Sequence, residues 1–182
     1  MKILGCFLLL SLVLIAIPAH ASDVALFGGV QHEGKLTLSS ATSSISNITF
    51  NPRNFGVFGL RLSHGKLIGG EHTFAYAPNF IESGTKAIIY HSNLLVQVPT
   101  PKIKPYVTAG LGGVFTSGND IRDFGNKFAI DYGGGVKVFP AGPIGLVVDV
   151  RGYAIPDIKI QNLTVGKRLN IIQVSVGVAF AF

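Results

Sequence analysis

Cysteine, tryptophan and charge are scarce in this chain, and each scarcity removes a class of protein. One Cys and no Trp occur among 182 residues, so neither a disulfide framework nor a Cys-based metal site can be built. Only 13% of residues are charged, against roughly 25% in ordinary soluble domains, which is too few for a surface covered by water. The 15 basic and 9 acidic residues leave a net charge of +6, but the cations are spread along the chain and form no stripe. No nucleic-acid footprint follows from that pattern. Long apolar runs are also missing beyond the N-terminus, which excludes a helical membrane protein despite a mean hydropathy of +0.47.

The one long run is N-terminal. Lys2 precedes an apolar stretch from Ile3 to Ile17, and Pro18-Ala19-His20-Ala21-Ser22 follows. Charge, apolar core and a small-x-small site predict a Sec-type export signal cleaved after Ala21, with Ala19 and Ala21 as its small residues. Pro18 and the shortness of the run argue against a membrane anchor. Ile3-Leu4-Gly5-Cys6 has the outline of a lipoprotein acylation box but leaves no room for an apolar region before it. The expected organisation is residues 1–21 as signal peptide and 22–182 as one domain. That domain lacks Cys, because Cys6 leaves with the signal.

What the chain does have is glycine, 23 residues of it, and alternation. No window after Ser22 keeps a period of 3.6, whereas period-2 alternation recurs between Gly, Pro, Asn and Ser punctuation. Eight extended segments are predicted: Val24–Glu33, Arg53–His64, Lys66–Ala77, Lys86–Val98, Ile103–Thr116, Lys127–Phe139, Ile144–Tyr153 and Leu169–Phe182. Most run about 10 to 14 residues, well above the soluble mode of about 5 to 6. A strand of about 11 residues tilted by about 40° rises about 28 Å, the height of a bilayer's apolar band. Connections alternate in length. His64-Gly65, Pro99–Lys102 and Pro140–Pro143 are tight, while Gly34–Pro52, Pro78–Thr85, Ser117–Asn126 and Ala154–Arg168 are longer and more polar. Short turns at one end and long loops at the other describe an all-β, eight-stranded antiparallel up-and-down transmembrane β-barrel.

The two faces of each strand differ in kind. In the last one Ile172, Val174, Val176, Val178, Phe180 and Phe182 oppose Gln173, Ser175, Gly177, Ala179 and Ala181. The small-residue face suits a narrow interior, so the large apolar face should meet lipid. Closure is required because backbone groups left unpaired in hydrocarbon cost several kcal/mol each. Parity then sends Arg61, Glu71, Asp131, Lys137, Asp149 and Arg151 inward, where they can form a paired lumen ion network, with Glu71 as the expected shared carboxylate. Phe74, Tyr76, Phe80, Tyr106, Phe115, Phe128, Phe139, Phe180 and Phe182 lie near predicted strand ends, as interfacial girdles would.

The C-terminal run Ser175-Val176-Gly177-Val178-Ala179-Phe180-Ala181-Phe182 resembles the β-signal read by the outer-membrane insertion machinery, carried by Ser175, Gly177, Phe180 and Phe182. With Lys104–Gly112 and Asp131–Lys137 it makes residues 22–182 resemble the outer-membrane β-barrel domain family of OmpA/OmpX-like proteins. The resemblance implies location in the cell outer membrane, with outer-membrane lipid and the insertion machinery as partners. It fixes architecture better than activity, since members serve as adhesins, structural proteins, small pores and enzymes. The chain ends at the barrel, so the peptidoglycan-binding role of a C-terminal OmpA domain is not implied.

Enzyme signals are sparse. A lipid A-modifying barrel enzyme would need a His/Ser pair at i, i+2 on one face with a carboxylate to orient the His, but Ser63-His64 and His91-Ser92 are adjacent and point apart. His32-Glu33 lacks the second His of a zinc helix, and Gly133-Gly134-Gly135 lacks the Lys of a phosphate loop. No cofactor, metal or catalytic residue is expected. The sequence therefore predicts a non-enzymatic barrel with a plugged lumen, acting structurally or through outer loops toward an extracellular partner, with Gly34–Pro52 the foremost loop. A small porin-like channel is the alternative. A lipid A enzyme and a soluble lipocalin-like carrier are the remaining ones.

Overall fold

Alternating burial along the strands decides the architecture. A computed structural model describes residues 23–33, 36–38, 48–50, 54–80, 83–117, 126–155, 158–160, 163–165 and 169–182. The predicted signal with Ala19 and Ala21, and most of Gly34–Pro52, lie outside the described residues.

Twelve strands occur in chain order: β1 (Asp23–Glu33), β2 (Leu36–Leu38), β3 (Ile48–Phe50), β4 (Asn54–His64), β5 (Ile68–Pro78), β6 (Lys86–Gln97), β7 (Ile103–Ser117), β8 (Asn126–Ala141), β9 (Ile144–Ile155), β10 (Ile158–Ile160), β11 (Leu163–Val165) and β12 (Leu169–Ala181). Eight of them close a barrel in the order β1-β12-β9-β8-β7-β6-β5-β4. Every neighbouring pair is antiparallel, and β1 closes the ring by pairing with both β12 and β4. The barrel itself has no edge strand, which is the requirement for backbone in hydrocarbon. The four short strands form two ladders, β2 with β3 and β10 with β11, inside segments expected to be plain loops. A further difference is at the β4–β5 turn, where Lys66 and Leu67 belong to the turn and not to the strand.

The tight connections need positive φ, which glycine supplies at Gly65 (φ 98) and Gly142 (φ 72). Short turns and both ends of the barrel lie on one side, the periplasmic side for this architecture. Outward residues such as Leu26, Leu94, Val107, Leu146, Val148 and Val174 are exposed, while their neighbours in the chain are buried. In water such a surface would aggregate; in a bilayer it is the contact surface with acyl chains. No helix among the described residues is long and apolar enough to cross a membrane.

Inside, two apolar layers sit above and below a polar middle. The outer layer gathers Phe27, Phe55, Phe80, Ile89, Ile155 and Ile171, and the periplasmic layer gathers Leu95, Tyr106, Phe139 and Val147. Three residues expected in the girdles are thus lumenal: Phe80, Tyr106 and Phe139 are buried, Phe80 against the Phe55 ring at 5.2 Å. Nearness to a strand end suggested an interface, but parity governs which way a side chain points. Phe74, Phe115, Phe128, Phe180 and Phe182 do face outward.

Candidate functional site

The strands bring a group of charged side chains into one narrow lumen. Arg61 comes from β4, Glu71 from β5, Asp131 and Lys137 from β8, Asp149 and Arg151 from β9, and Asp23 from the start of β1. All are buried.

Asp149 and Arg151 are the hubs. Arg61 meets Asp149 with both terminal nitrogens, Nη1 at 2.7 Å from Oδ2 and Nη2 at 3.1 Å from Oδ1, the forked geometry that makes guanidinium–carboxylate pairs strong. Arg151 meets three carboxylates: Nε donates to Asp149 Oδ2 at 2.9 Å, Nη1 donates to Asp131 Oδ2 at 3.4 Å, and Nη2 is ion-paired with Glu71 Oε1 at 2.7 Å. Tyr106 donates its hydroxyl to Asp149 at 2.9 Å and Ser175 does so at 2.5 Å. The carboxylate shared between cations is therefore Asp149; Glu71, the expected one, has Arg151 as its ion-pair partner and receives weaker bonds from Thr73 and Asn93. Glu71 reaches one guanidinium because only β9 brings a cation toward it, whereas Asp149 lies between two.

Lys137 forms a separate pair near the periplasmic end. Its Nζ stands 2.7 Å from Asp23 Oδ2 and 3.0 Å from Ser63 Oγ, and 5.3 Å from the centre of the Tyr106 ring. Toward the outer layer, Gln31 donates to Gln173 Oε1 at 2.7 Å and Tyr153 donates to the same oxygen at 3.1 Å. Asn93 links Glu71 and Asp131 with bonds of 3.5 and 3.0 Å.

Glycine makes the room. Gly133 and Gly135 stand opposite Arg151 and Asp149, and a Cβ at Gly133 would lie 2.9 Å from Arg151 Cγ. Phe27 lies opposite Gly59 on one side and Gly177 on the other, with the Arg61 guanidinium 3.9 Å above its ring. Gly133-Gly134-Gly135 is thus a packing device for long polar stems, and Gly177 has a structural task within the C-terminal motif. Ser175, from the same motif, belongs to the ion network; Phe180 and Phe182 face outward.

Sequence reasoning missed Asp23, Asn93, Tyr106 and the glutamine pair. Asp23 lies one residue before the predicted first strand, and its partner Lys137 is 114 residues away. The alternation that places Tyr106 inward was available in the sequence. The requirement for a His/Ser pair along one strand also passed over His72 and Ser92, which stand directly opposite each other on β5 and β6 and share the outer face. Among the described residues no group of three or more His, Cys, Asp or Glu could hold a metal ion.

A closed ring of eight strands, apolar outside and filled with ion pairs inside, defines an integral barrel of the outer membrane. The chain belongs to the outer membrane protein beta-barrel domain family, whose model matches residues 7–180. No curated protein matches it in sequence. Among solved structures, Neisserial surface protein A is 13% identical with a TM-score of 0.60, the match covering 87% of this chain and 97% of that one. The N-terminal β-barrel domain of Pseudomonas aeruginosa OprF is 14% identical with a TM-score of 0.56, covering 90% and 98%. The outer membrane enzyme PagL is 16% identical with a TM-score of 0.50, covering 87% and 98%. At these identities the likeness is one of fold.

Proposed function

We propose that the protein is a sealed, non-conducting barrel of the outer membrane that holds its outer loops toward an extracellular partner. The observation that carries this reading is the filled lumen. Arg61 and Arg151 are tied into one cluster with Glu71, Asp131 and Asp149, and apolar layers lie on both sides of it. A permeating ion would have to break pairs of about 2.7 Å that are shielded from water, where uncompensated charge is most costly. Purified protein in planar bilayers should give no unitary current steps over hours at moderate voltage. Regular steps would make the porin-like channel the better reading.

Export by residues 1–21 with cleavage after Ala21, and insertion through Ser175, Gly177, Phe180 and Phe182, complete this proposal. A mature N-terminus at Ser22, read by Edman degradation from the membrane fraction, supports the first. The barrel performs no chemical step in this reading: lipid A mass spectra with and without it should be identical.

A further inference from the structure

The lipid-facing wall carries a polar island on β4, β5 and β6. His64, His72, Tyr90 and Ser92 project outward by strand parity among Leu62, Ile68, Phe74 and Leu94, which are all exposed. Register gathers them: His72 stands opposite Ser92 on β6 and Leu62 on β4, and His64 stands opposite Gly70. His72 is 8% exposed and Ser92 7%, against 62% for Ile68 on the same face.

Inside the island His72 Nδ1 lies 3.1 Å from Tyr90 Oη with the two rings nearly parallel, so the imidazole is held in place. The His64 ring lies 6.3 Å from that of His72. His72 Nε2 and both nitrogens of His64 are buried and have no hydrogen-bond partner among the described residues. Polar groups left without partners in a wall that meets hydrocarbon are costly, and in membrane proteins they mark sites where a polar ligand arrives. Gly70 creates the recess. A Cβ there would stand 2.5 Å from His64 Nε2, so the His64 ring occupies the volume a side chain would fill.

We infer that this island binds the phosphodiester headgroup of a glycerophospholipid from the periplasmic leaflet. His64 is the last residue of β4 before the short turn, which places the island at the periplasmic side of the apolar band, and His72 stands about 7 Å further along the neighbouring strand. Lys66 is exposed in that turn and supplies the positive charge a phosphodiester calls for. In the tautomer in which Tyr90 donates to His72 Nδ1, the Nε2–H of His72, a ring N–H of His64 and the Ser92 hydroxyl donate to phosphate oxygens, while Phe74 and Ile88, further from the turn, offer apolar surface to the acyl chains. A phosphorylated lipid of the outer leaflet would meet the opposite end of these strands.

The test uses the refolded barrel in uncharged detergent, with ¹³C,¹⁵N-labelled His. Dihexanoylphosphatidylglycerol should move the His64 and His72 ring resonances saturably, leaving His91, whose side chain faces the lumen, unmoved. Dihexanoylglycerol, with the same chains and no phosphate, should move none of them. Ser92→Ala and Lys66→Gln should each weaken the apparent affinity at least fivefold, and Gly70→Ala, which displaces the His64 ring, should alter it with heat-modifiable migration retained. Equal shifts with dihexanoylglycerol, equal shifts with inorganic phosphate alone, or shifts that follow protein concentration without lipid would each overturn the inference. The last of these would assign the island to contact between copies.

Discussion

Arg151 is ion-paired with Glu71, Asp131 and Asp149 at once, and that single side chain sets the energetic stakes of the lumen. Removing it leaves three buried carboxylates facing one another with Arg61 as the remaining partner of Asp149 alone. Arg151→Met should therefore lower the unfolding free energy by about 3 to 5 kcal/mol, the range for breaking a buried pair from one side. Urea titration of the barrel in phospholipid vesicles, read by heat-modifiable migration, measures it; a loss under about 1 kcal/mol would mean that water already screens the cluster. Arg151→Lys should fall between, since an ammonium cannot reproduce two directed N–H bonds and a third ion pair from one plane. At this scale the sequence was informative about direction and silent about partners. Parity alone put the six charges on the inner face, because a period of two leaves no choice once one face is known. It could not say that Asp149 is held by both Arg61 and Arg151, because the first of those pairs joins residues 88 apart through a barrel closure that no local pattern encodes.

Elements follow from local chemistry, so their boundaries were the most legible part of the chain. The predicted segment Lys86–Val98 and the observed β6 (Lys86–Gln97) differ by one residue, because alternation stops where Pro99 and Pro101 interrupt it. The short ladders β2–β3 and β10–β11 escaped notice because three-residue strands carry no periodicity to read. The hairpins give a graded test. Gly142 has positive φ and open space where a methyl group would stand, so Gly142→Ala should cost only the conformational penalty of about 1 to 2 kcal/mol. Gly65 has positive φ and also faces the backbone of Gly69, where a Cβ would lie 2.6 Å from Cα, so Gly65→Ala should cost more. Equal losses in the same urea assay would show that the turn backbone relaxes. The lipid face gives a second gradient. Val150→Arg, near the middle of β9, should cost about 2 to 4 kcal/mol, and Ile144→Arg, at its periplasmic start, about 0 to 1. Similar costs at both positions would contradict a bilayer around the barrel.

In the proposed sealed barrel, at the scale of the whole molecule, the lumen acts as barriers in series. The outer apolar layer holds Phe55, Phe80 and Ile171, the middle holds the Arg61–Asp149 and Arg151–Glu71 pairs, and the periplasmic layer holds Tyr106 and Phe139. In a series arrangement the least permeable layer limits the current, so clearing one layer leaves the path closed. Phe55→Ala/Phe80→Ala/Ile171→Ala should stay silent in planar bilayers, and so should Tyr106→Ala/Phe139→Ala, although each set loses about 3 kcal/mol or more of stability through the cavities it opens. Only variants that clear both layers and also neutralise the middle, by adding Arg61→Ala, Asp149→Ala, Arg151→Ala and Glu71→Ala together, should produce steps. Asp131→Asn goes with them, because Asp131 has Arg151 as its ion-pair partner, and removing both arginines with all three carboxylates keeps that middle free of the unpaired charge that would otherwise prevent folding. Current through either single-layer variant would mean that the remaining layers move aside on their own, and the seal would then be a gate.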